Sequence, residues 1–216
     1  MQCQDATSVF FNLVCLAPPA QAALITALAL LIGYFLKHWL DYREREALRK
    51  EKAFDICCAL FAEIWNGADL QQDLSKENRK RSFALNSSDP AYRPLVPDII
   101  DAFPVFREAV KDISVLPAKV IDDVTIWHDA CANWLAAQRK LDSVEFQAIG
   151  VERKEHYLIA VHTLEDYVTE MRLKAVVAMY EWLLDSGREA ELPREWSEAY
   201  GRAKERLAAA VDSRGT

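Results

Sequence analysis

Few residues in this 216-residue chain are equipped for chemistry: four histidines, five cysteines and one short basic run. The segment WHDAC puts His128, Asp129 and Cys131 within one helical turn, a grouping able to bind zinc or activate a thiol. Zinc needs further ligands at recognisable spacing, and no CxxC or HxxxH accompanies the segment. His128 is therefore expected to be a partly buried polar neighbour of Trp127. His156 and His162 stand six apart, on different faces of a helix, while His162 reaches Glu165 or Asp166 across one turn, the geometry of a surface hydrogen bond. A di-iron bundle would need Glu-x-x-His on two helices, and the sequence has none. Cys131 lacks an activating neighbour, and Cys57 and Cys58, being adjacent, point to different sides of a helix. All three read as small buried hydrophobes in a reducing compartment. No catalytic, cofactor-binding or metal residue is assigned, no cofactor is expected, and the chain is read as a non-enzyme.

The basic run is Asn78–Arg81. It falls in SKENRKRSFALNSSDPAYRP, whose Asn, Ser, Asp and two prolines predict the longest loop. Arg79, Lys80 and Arg81 are candidates for contact with anionic lipid headgroups, each contributing about 1 kcal/mol near a charged surface. The competing reading is a solvated loop.

These residues need elements to carry them, and composition bounds those elements. Apolar residues make up 51% and charged residues 27%, with six glycines and eight prolines, which suits a folded chain. The net charge of −7 argues against a general nucleic-acid binder, whose affinity comes from neutralising phosphates.

From Ala6 to Leu36 there is no charged residue, and AALITALALLIGYFL from Ala22 to Leu36 is almost wholly apolar. A helix opened by Pro18 and Pro19 would run about 28 Å to Leu36, close to the thickness of a bilayer core. Tyr34, Lys37, Trp39 and Tyr42 are candidates for the membrane interface, the aromatic rings at headgroup level and the lysine stem extended towards water. One charge, Asp5, precedes the run, whereas Lys37, Arg43, Arg45, Arg49, Lys50 and Lys52 come after it. The positive-inside rule then puts the N-terminus outside and the rest in the cytoplasm. A cleaved signal peptide lacks its basic n-region here and would still leave ALITALALLIGYFL as an anchor. Cys15 as a lipidation site lacks small residues ahead of it.

Residues 37–52, KHWLDYREREALRKEK, carry mixed charge on all sides and predict a solvated stalk that continues the anchor. From Phe54 the pattern changes, with Phe54, Cys58, Phe61, Trp65 and Ala68 recurring at fours and threes; this helix is expected to end near Leu74. Pro94, Pro97 and Pro104 leave room for short pieces around DIIDAF and VFREAVKDIS. Pro117 opens a helix to about Leu141 with Val120, Val124, Trp127, Cys131, Trp134 and Leu135 on one face. Another runs from Val151 to Asp185, where Tyr157, Val161, Leu164, Val168, Met171, Ala175, Ala178 and Trp182 form a four-three seam and Gly187 is the stop. Such a seam serves either a coiled coil or an internal bundle. Pro193 starts the last helix. No alternating β-branched run predicts a strand, so the class is all-α.

The order of anchor, RERE-type stalk, ALFAEIWNGADL and LPAKVIDDVTIWHDAC resembles that of uncharacterised single-pass bacterial membrane proteins with a small helical cytoplasmic domain. The resemblance implies a topology and no activity.

The expected layout is a short extracytoplasmic or interfacial segment (1–17), a transmembrane helix (18–37), a juxtamembrane stalk (38–52) and a helical cytoplasmic bundle (53–212). The expected role is an interaction surface, as scaffold, sensor or regulator, at the inner membrane, with the lipid bilayer and either a protein partner or a second copy as contacts and no nucleic acid. The alternative is an oligomeric membrane-perturbing effector of a bacterial or phage conflict system.

Overall fold

The computed structural model describes residues 18–86, 103–141 and 143–214, the stretch 68–86 by its backbone. Among these residues all regular structure is helical, in six α-helices and two single 3-10 turns, with no strand. Two units divide between Lys50 and Glu51.

Helix α1 spans Pro18–Asn86. Its prolines occupy the first turn, where a missing N–H costs nothing, and Ala, Leu, Glu, Lys and Arg dominate its later turns. The expected end near Leu74 is wrong by a dozen residues, and the loop assigned to Arg79, Lys80 and Arg81 is helix instead. The reason is local: SKENRKRSFALN contains good helix formers and neither glycine nor proline. The DIIDAF piece lies outside the described residues except at its last position, Phe103.

In the first unit, α1 exposes its apolar run on every side: Ile25, Leu28, Leu30, Leu31, Ile32 and Phe35 are each about half exposed or more. This is the one helix among the described residues that is long and apolar enough to cross a membrane, and none of its most apolar stretch is buried by the chain. The turns after it stay solvated, with Lys50 paired to Glu46 at 3.5 Å.

In the second unit the same helix becomes one-sided. Ala53, Phe54, Cys57, Leu60, Phe61 and Ile64 are buried, at the three-four spacing that lines one helical face. Phe61 packs on Trp196 with ring centroids 4.3 Å apart, and on Tyr180 at 6.1 Å. Helix α2 (Pro104–Ala109) and a 3-10 turn (Ile113–Val115) lead into α3 (Ala118–Leu141). Helix α3 buries the expected Val120, Val124, Trp127, Cys131, Trp134 and Leu135. A short α4 (Val144–Ala148) comes next, opened by the Ser143 hydroxyl accepting from the Phe146 amide at 3.1 Å.

Helix α5 (Val151–Asp185) runs back along α3. The Tyr157 hydroxyl donates to the Ala137 carbonyl at 3.0 Å near one end, and Lys119 reaches Glu181 at 3.5 Å near the other. The α5 seam is consumed inside the chain: Val161, Val168, Met171, Ala175 and Ala178 are buried, and Tyr157, Leu164 and Trp182 are half-buried against the core. Gly187, at φ +74°, takes the left-handed conformation that ends α5. Helix α6 (Arg194–Arg214) then packs through Ala199 and Ala203, with Tyr200 stacked on Tyr180 at 4.8 Å.

Gly67 lies inside α1, and a Cβ there would meet Phe103 at 3.7 Å and Trp127 at 3.9 Å, ordinary contact distances. Gly67→Ala is therefore expected to stabilise the fold by about 0.5–1 kcal/mol through helix propensity, read as a higher midpoint in urea unfolding. A lower midpoint would mean that α1 bends at this residue.

Candidate functional site

The four interface candidates share the exposed part of α1. Tyr34, Trp39 and Tyr42 are 68%, 52% and 62% exposed, and Lys37 is exposed beside them. Two contacts add to the pattern: Arg43 sets its guanidinium 4.8 Å from the Trp39 ring centre, and His38 stacks on Tyr34 at 6.4 Å. Both are four-residue spacings along a helix, so the sequence contained them. The side chains of Arg79, Lys80 and Arg81 lie outside the described residues.

The chemical candidates are dispersed. His162 approaches Glu165 at 3.6 Å across one turn, and His156 Nδ1 lies 2.9 Å from the Glu152 carbonyl. Burial pushes the Cys131 thiol up to about 12 and the Cys58 thiol up to about 11, the latter helped by Asp55. Cys57 is raised further by the same cause, and its Sγ lies 3.9 Å from the Met179 carbonyl. Thiols held this way carry almost no thiolate near neutral pH, so their chemistry is packing. Among the described residues no group of three His, Cys, Asp or Glu side chains converges as metal ligands would.

His128 has a distinct setting. Its ring stacks on Phe106 at 3.9 Å, Phe103 meets it edge-on at 5.8 Å, and Asp129 lies 3.8 Å away. Desolvation holds its pKa below the ordinary 6.5, partly offset by Asp129. The unfolded chain therefore takes up this proton before the folded one does. The group's contribution to stability is complete above about pH 6.5 and is lost progressively as pH falls from there towards the folded-state value. His128→Phe, which keeps the stack, is expected to flatten the dependence of the unfolding midpoint on pH between about 6.5 and 5. An unchanged slope would locate the acid sensitivity elsewhere.

The structure also builds a feature that sequence reasoning missed. Helix α2 is too short to hold itself, and Glu63 of α1 holds it instead. Its carboxylate accepts from the Val105 amide at 2.6 Å and the Phe106 amide at 2.9 Å, capping the open first turn. Half-burial raises the Glu63 pKa, with the two amides pulling the other way. At the other end Lys52 pairs with Asp112 at 2.7 Å. Between these two ties lies an open groove of about 530 Å³, floored by Ile56, Ala59, Val105 and Ala109 and edged by Asp55 and Glu108.

Comparison with protein-family models, with curated proteins and with solved structures gives no match for this chain.

Proposed function

We propose that the chain is a single-pass protein of a bacterial inner membrane, N-terminus outside, whose cytoplasmic helical domain presents an interaction surface as a scaffold, sensor or regulator of another protein. One observation carries the reading: no residue in the most apolar stretch of α1 is buried by the described chain. Leaving that much apolar surface in water opposes the hydrophobic effect on every face of the helix, whereas a bilayer covers all faces at once. The aromatic residues at Tyr34, Trp39 and Tyr42 and the cations after them match the boundary between lipid and water, and the excess of cations on the C-terminal side supports the orientation. The interaction role is supported by the groove between α1 and α2.

Topology is tested by labelling intact cells with a membrane-impermeant maleimide. A chain retaining only Cys3 is expected to be labelled from outside, and a chain retaining only Ser213→Cys is expected to need permeabilised cells. The reverse pattern would sink the orientation. For the role, affinity purification of the full chain from detergent extract is expected to bring a stoichiometric protein partner; a lone monomer would count against it.

A further inference from the structure

We infer that the groove between α1 and α2 is the docking site for a basic amphipathic segment of a partner protein, which rests on the interaction role above and names the partner's chemistry. The floor is small and apolar: Ala59 and Ala109 leave room between the two helices, and Ile56 and Val105 complete it. Two polar ties, Lys52 to Asp112 and Glu63 to the first amides of α2, hold α2 against α1 beside the recess. Its size lies in the range of ligand sites, and two helical walls suit another helix laid in with its apolar face down.

Charge chooses the occupant. The lining carries three carboxylates, Asp55, Glu108 and Asp112, against one ammonium, Lys52. Asp55 forms no ion pair among the described residues, although its charge is felt by Arg188. Glu108 pairs with Lys111 at 2.9 Å, both about three-quarters exposed, a contact that solvent already weakens. A lysine or arginine of the partner lays its aliphatic stem on the floor and its head between Asp55 and Glu108. The same carboxylates repel a phosphate-bearing lipid or an acidic peptide.

The test uses the full chain in phosphatidylcholine nanodiscs and two labelled helical peptides of equal length, one of Leu and Lys and one of Leu and Glu, followed by fluorescence anisotropy against empty discs. The Leu/Lys peptide is expected to bind saturably above the empty-disc level and the Leu/Glu peptide not at all. Asp55→Lys combined with Glu108→Lys is expected to weaken binding about tenfold or more, and Ala59→Trp, which fills the recess, to abolish it. Asp166→Lys, on α5, is expected to leave it unchanged. Circular dichroism melts identify any variant that fails to fold, and the charge-reversed surface pair does not depend on repacking. Equal binding by the charge-reversed variant, or binding no greater than that of empty discs, overturns the assignment. A chain that sediments with membranes and purifies with a partner yet ignores the peptide overturns the groove alone and leaves the wider role standing.

Discussion

Arginine at both Leu28 and Leu31 is expected to move the chain from the membrane pellet to the supernatant. Both residues sit near the middle of the apolar run and are about half exposed on α1, so neither substitution disturbs packing within the chain. Arginine also matches leucine closely in helix propensity, so the helix itself survives the change. At the centre of a spanning helix each arginine costs about 2.5–3.5 kcal/mol, and each leucine removed forfeits about 0.5 kcal/mol more. The pair therefore opposes insertion by roughly 6–8 kcal/mol, enough to reverse the partition of a single anchor. The measurement is the fraction of full-length chain that pellets after a carbonate wash. If the variant pellets as completely as the parent, the run does not lie in lipid.

The second large effect is expected at Phe61. This ring is fully buried where α1, α5 and α6 meet, against Tyr180 and Trp196. Phe61→Ala removes those contacts and leaves a hole that helices tied at several points cannot close. A loss of about 3–5 kcal/mol is expected, a large share of the net stability of an ordinary domain. At about 2–4 °C per kcal/mol for a domain of this size, the thermal midpoint is expected to drop by roughly 6–20 °C. Phe35→Ala, on the exposed part of α1, serves as the control and is expected to leave the midpoint of the domain in place. A shift at Phe61 no larger than at Phe35 would mean that α1 contributes nothing to the core.

The elements that can be read from the sequence are those whose signals are local. Helix α5 begins at Val151 and ends at Asp185 as expected, because a long four-three seam fixes its period and Gly187 supplies the left-handed stop. Helix α3 ends at Leu141 for the same kind of reason, its buried face being legible from Val120 to Leu135. The end of α1 misleads because Ser75 and Asn78 look like loop signals, while the lysines, arginines and leucine around them favour helix. Helix α4 gives no periodic signal, five residues being too few for one, although Ser143 is a visible cap. The groove is illegible for a different reason. Glu63 and Val105 are 42 residues apart, and Phe106 and His128 meet only after α2 has docked. The single trace in the sequence is an acid set among apolar neighbours in LFAEIW.

The grip of Glu63 on α2 has a kinetic side. Six residues of helix in water unwind within a fraction of a microsecond, so the persistence of α2 is the persistence of its attachments, to α1 through Glu63 and to α3 through the stack of Phe106 on His128. The amides of Val105 and Phe106 point at a carboxylate rather than at solvent, which makes their deuterium uptake a clock for detachment. A molecule that wedges α2 away from α1 quickens that clock, and one that bridges the two slows it. The two modes of engagement can therefore be told apart at two backbone positions.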